Sequence, residues 1–189
     1  METTLRTALW RQFGAAIDML DSAIAACPTQ LWTRRLWDDP PDHPVPPWLP
    51  PEFAEFWYVA YHTLFWLDLY LSGRPEEEFT PPAPFIWTEN YPAVSPEQPY
   101  TKEDLQAYLA ALRRKCRDTL AALTDERASQ AVEYPWTEGQ TVSFLELLFY
   151  NMRHVVEHTA QLSLFLGQSA APDIPNMVTR AKDDLSSQA

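Results

Sequence analysis

Four histidines occur in the chain, and three of them, His62, His154 and His158, stand in its most apolar stretches rather than in loops or on charged faces. His154 and His158 are four residues apart, so on a helix both imidazoles project from one face, the arrangement by which paired histidines hold zinc. Leu147, Asn151, His154, His158, Leu162 and Phe165 follow at three- and four-residue steps, which puts apolar groups above and below the pair and turns it inward. His62 lies among Tyr58, Val59, Phe65, Trp66 and Leu69, so the same periodicity buries it. Taken singly, each ring can pack alone, hydrogen-bonded to a carbonyl or to Glu157, Glu55 or Asp68. Taken together, three unpaired buried imidazoles strand polar nitrogens, and a shared divalent cation removes that cost by using one nitrogen from each ring. A three-histidine set with an open position suits zinc, nickel or iron and points to catalytic more than closed structural coordination.

Proline marks out the elements that must carry these rings, because it breaks helix interiors. Fifteen of the 18 prolines fall in 28–51 and 75–99, leaving 1–27, 52–74, 100–134 and 136–171 free of them. Four helices are predicted. Leu5, Leu9, Phe13, Ile17, Leu20 and Ile24 make the first stripe; Leu105, Tyr108, Leu109, Leu112, Leu120 and Leu123 make the third. On the third segment Lys102, Arg113, Arg114, Arg117 and Asp118 read as a solvated face. Thr101 with Asp104, and Ser143 with Glu146, are spaced to cap first turns, and Gly73 and Gly167 suit left-handed C-caps. The second and fourth helices are therefore expected at about 52–72 and 143–166, His62 on one and the pair on the other. Four helices of this length make an all-α four-helix bundle with two long Pro-rich connectors, over residues 1–167. Such connectors are long enough for a crossover, and helix order in space stays open. In the tail, 168–189, residues 176–185 are expected to form one more short helix or to fray.

Composition narrows the chemistry. With 14 basic and 26 acidic side chains, a net charge of −12 repels phosphate backbones, so no nucleic-acid partner is expected. Cys27 and Cys116 are too few for a disulfide framework and form no CxxC pattern, which fits a reducing, cytoplasmic compartment. The first 20 residues lack the form of a signal peptide, and the longest apolar run, 56–71, is interrupted by His62 and Asp68 and falls short of the ~18 residues of a membrane span.

Competing motifs do not hold. The run His154-Val-Val-Glu-His158 has the inverted zincin spacing, but only 31 residues follow it to carry the further ligand that class requires. Di-iron bundles need Glu three before each histidine, where this chain has Val59, Asn151 and Val155. There is no CxxCH, no G-x-S-x-G and, with four glycines, no phosphate-cradling loop.

One histidine in the second helix, followed by Asn-x-x-His-x-x-x-His-x-x-Gln-Leu at 151–162 in the fourth, resembles the DinB/YfiT-like family. The resemblance implies a divalent metal held by His62, His154 and His158 at the centre of the bundle. It implies a homodimer, and an activity related to low-molecular-weight thiol S-transferases, in which the ion activates a thiolate toward an electrophile. It carries no other catalytic residue; Glu157 and Tyr150 are only neighbours, and Ala160 stands where many relatives have glycine. Trp48, Trp87 and Tyr91 in the connectors are candidates to roof the pocket, and His43 to be a fourth ligand. Two other readings follow from the same residues: hydrolysis by metal-activated water, and a non-enzymatic bundle whose aromatics Phe56, Trp57, Tyr61, Phe65, Trp66 and Tyr70 bind an apolar ligand or partner.

Overall fold

The computed structural model describes residues 2–38, 49–86, 96–134, 139–169 and 176–185. Four long helices are present where proline is absent: α1 (Thr3–Ala26), α2 (Phe56–Ser72), α3 (Lys102–Ala121) and α5 (Phe144–Gln168), with a short α4 (Asp125–Ser129) between the last two. The chain is an all-α bundle with one addition, an antiparallel pair of two-residue strands, β1 (Ala131–Val132) and β2 (Val142–Ser143), in register Val132 opposite Val142.

Each helix forms for a local reason and is held by a buried face. Trp10, Phe13, Ile17, Leu20 and Ile24 are fully buried on α1. At about 1.5–3 kcal/mol each, this stripe outweighs the missing side-chain cap at Glu2. Thr101 and Asp104 form a reciprocal capping box on α3, while on α5 Ser143 accepts from the Glu146 amide. Gly73 ends α2 with φ +62°, a conformation that strains any residue with a Cβ, and Arg127 Nη2 caps the adjacent Ser72 carbonyl at 3.1 Å.

Helix α1 packs on α3 and α5, and α2 packs on the same two, so α1 lies diagonal to α2 and α3 diagonal to α5. The first connector and the α4–hairpin segment therefore cross the bundle, and the second connector joins neighbours. Helix α2 is buried nearly all round because the connectors fold onto it. Phe85 stacks between Tyr61 and Tyr108, at 5.8 and 4.5 Å between ring centroids, and Phe79 meets Phe65 edge-on.

Four expectations are corrected. The second helix does not begin near residue 52: Pro51–Ala54 is a 3-10 turn, and Glu55 is extended because it bridges Arg35 in antiparallel fashion. Gly167 caps nothing; α5 runs through it to Gln168 and closes at Ser169. The basic face of α3 is not simply solvated. Arg114 and Asp118 are exposed, but Lys102 donates to the Ala25 and Cys27 carbonyls at the end of α1. Arg113 reaches Asp18 at 2.8 Å and Asp183 at 2.6 Å. Residues 176–185 neither form a helix nor fray. Trp10 Nε1 donates to the Asp183 carbonyl, the Ala181 amide to Arg11 O and the Lys182 amide to Asp18, so a polar network seats this segment on α1 and α3. Gly14 allows that approach, since a Cβ there would lie 2.6 Å from the Ala181 methyl.

Candidate metal centre

Helices α2 and α5 pack side by side, and their facing surfaces carry the histidines. Asn151, fully buried one turn before His154, donates from Nδ2 to the Leu67 carbonyl of α2 at 3.2 Å and sets the level at which the helices meet. His62, His154 and His158 are all half-buried. His154 Nε2 lies 3.3 Å from His62 Nε2 and 3.1 Å from His158 Nε2, and one ligand nitrogen from each ring falls within 4.8 Å of the others. The three rings do converge.

Their separations are compatible with a shared cation. Nitrogens held at ~2.0–2.1 Å from a tetrahedral ion stand about 3.3 Å apart. A neutral imidazole has one N–H and one lone pair, and His158 uses its Nδ1–H on Gln161 Oε1 at 2.7 Å, leaving its Nε2 with the lone pair. His154 then has two imidazole neighbours at a single nitrogen, and its own Nδ1 is buried with no hydrogen-bond partner among the described residues. Burial, then the proximity of His62 and His158, pushes the His154 pKa down to about 2, so its ring is neutral and able to ligate at any ordinary pH. The donor set is compatible with a divalent ion: three imidazole nitrogens, one ring already oriented by an amide oxygen in the manner of metal-binding histidines.

Aromatic rings wall the cluster. Tyr150 lies parallel to His154 at 6.5 Å between centroids, Tyr70 meets it edge-on at 6.2 Å, and Trp66 meets His62 edge-on at the same distance. The acids that would satisfy the histidines individually are engaged or turned away. Asp68 takes Tyr108 and Lys115, Glu55 takes the Trp57 indole, and Glu157 is exposed. His43, Trp48, Trp87 and Tyr91 lie outside the described residues. The role of Gln161 was missed in the sequence, although its position three residues after His158 placed it on the same helical face.

The sequence model of the DinB superfamily matches residues 12–162, a span that contains all three histidines, α2 and α3 whole, and most of α1 and α5. The chain belongs to the DinB superfamily. No curated protein matches it. DinB-like proteins are metal-associated, and the three-histidine group of this chain could hold a metal ion. Among the described residues no helix is long and apolar enough to cross a membrane.

Proposed function

We propose that His62, His154 and His158 hold a divalent ion with an open position, and that this DinB-like protein uses it to transfer a low-molecular-weight thiol to an electrophile. The observation that carries the reading is the convergence of three Nε2 atoms at 3.1 and 3.3 Å. Bound there, the ion would lower the pKa of an incoming thiol and present it as the thiolate. Gln161 orients His158, burial keeps His154 neutral, and Trp66, Tyr70 and Tyr150 exclude water from one side of the cluster.

The thiol comes from outside the chain. Cys116 is fully buried and burial raises its pKa; Cys27 is buried and pushed up to about 12, so neither supplies a thiolate near neutral pH. The α2 aromatics on which a non-enzymatic binding bundle would rely are spent on the core: Phe56, Trp57, Tyr61, Phe65 and Tyr70 are buried, and only Trp66 is partly open.

The test begins with metal analysis of untagged protein. We expect about one divalent ion per chain, lost in His62→Ala and in His154→Ala, with affinity down more than ~100-fold in each. Thiol transfer to chlorodinitrobenzene or an epoxide is then followed with several cellular thiols. Rates equal in wild type and variants would overturn the enzymatic reading, and turnover of ester or amide substrates without added thiol would replace transfer by hydrolysis.

A further inference from the structure

Besides its histidines, α5 carries two fully buried polar side chains, Asn151 at 0% and Thr159 at 1% exposed. Asn151 Oδ1, Thr159 Oγ1 and His154 Nδ1 all have no hydrogen-bond partner among the described residues. Buried polar atoms left in this way are few in a folded protein, and each calls for an explanation. The two oxygens stand differently to the ring. Thr159 follows His154 by five residues, about 140° further round the helix and on another face. Asn151 precedes it by three, a neighbouring position with about 5–6 Å between Cβ atoms. Because side chains on a helix tilt towards its N-terminus, His154 leans over the turn that carries Asn151.

The two unpartnered atoms are complementary. Leu67 orients the Asn151 amide: a carbonyl only accepts, so the nitrogen faces Leu67 O at 3.2 Å and Oδ1 is left as an acceptor. His154 Nε2 faces the Nε2 atoms of His62 and His158 at 3.3 and 3.1 Å. The ring can offer a lone pair to an ion there only as the tautomer that carries its proton on Nδ1. Ligation therefore creates a buried donor at His154 Nδ1, one turn from a buried acceptor at Asn151 Oδ1. A single water spans that separation, accepting from Nδ1–H and donating to Oδ1. Nearby carboxylates do not compete for the ring, since Asp68 is held by Tyr108 and Lys115 and Glu157 is exposed.

We propose that Asn151 is a positioning residue of the metal centre: its Oδ1 answers the His154 Nδ1–H through one buried water and holds the ring in the tautomer that aims the Nε2 lone pair at the ion. The inference rests on the metal reading above and extends it. The same amide locks α5 against α2 at Leu67, so the docking of the two helices and the orientation of one ligand depend on a single side chain. Zinc titration of the untagged full chain tests it, with circular dichroism to establish that each variant is folded. Asn151→Leu removes both polar atoms at similar volume and should lower zinc affinity about 10–100-fold. Thr159→Val removes the other unpartnered oxygen of α5 and should leave the affinity unchanged. A second measurement needs no variant: NMR of the ring nitrogens in zinc-loaded wild type should place the His154 proton on Nδ1, shifted downfield and slow to exchange. A wild type that binds no zinc overturns this proposal together with the metal reading. Zinc bound as tightly by Asn151→Leu, an equal loss in Thr159→Val, or a His154 proton found on Nε2 in the loaded protein would each overturn the role of Asn151 alone.

Discussion

Two of the polar clusters among the described residues of this bundle are built on opposite principles. Between α1, α3 and the tail, the Asp18 carboxylate, only 2% exposed, is answered by Arg113, which also takes Asp183 in a second paired contact. Arg117 adds to Asp183, and the Lys182 amide to Asp18. Hydrogen bonding to Arg113, against some burial, holds the Asp183 carboxyl below its usual range. Charge and hydrogen bonds balance, so the cluster needs nothing further and serves as a clasp. Between α2 and α5, three imidazoles face each other with no carboxylate among them, and the buried polar atoms His154 Nδ1 and Asn151 Oδ1 have no partner among the described residues. A balanced cluster explains itself by stability; an unbalanced one asks for a ligand.

Breaking the clasp should give the largest effect on folding. Arg113→Ala leaves the buried Asp18 carboxylate with the Lys182 amide at 3.0 Å and the Lys182 ammonium at 3.7 Å, and should cost about 3–5 kcal/mol, measured by urea denaturation, without changing the metal content of folded protein. Loss of metal at constant stability would mean that the two clusters are not independent. The second effect belongs to the histidines. Gln161→Leu removes the acceptor that orients His158 and should weaken metal binding 10–100-fold while leaving the melting temperature of metal-free protein within a few degrees. Isothermal titration of zinc into the apo protein measures it, and unchanged affinity would remove Gln161 from the site.

The smallest effect is a pH dependence confined to the unbalanced cluster. His154 has a folded pKa near 2, below its value of about 6.5 in an unfolded chain. Above pH 6.5 both states leave it neutral and it contributes no slope. Below pH 6.5 the unfolded chain binds a proton that the folded protein refuses, so stability falls as pH falls, by up to roughly 1 kcal/mol per pH unit. Metal-free protein melted between pH 7.5 and 5 should show this slope, and His154→Leu should flatten it. An identical slope in the variant would assign the dependence elsewhere.

Much of this was legible in the residues because it is local. Proline placement located four helices, the Thr101–Asp104 box and Gly73 fixed ends that the structure keeps, and the four-residue spacing of His154 and His158 faced them the same way. What was misread depends on distant partners. Arg113 and Arg117 look like any solvated basic face until Asp183, some 70 residues away, is brought against them. The reason for glycine at position 14 is equally distant in sequence, because Ala181 lies across it. Glu55 sits within an apparently continuous helical pattern, but pairing with Arg35 holds it extended.

The order of amino acids alone determined that this chain forms helices, where proline stops them, and which face of each is apolar, since these follow from backbone sterics and periodicity within a few residues. Only the tertiary structure decided that α2 and α5 are neighbours while α1 and α2 lie across a diagonal. That choice brings His62 to the pair 92 residues further on. Packing complementarity between whole helix faces settles it, and no short stretch of sequence contains that information.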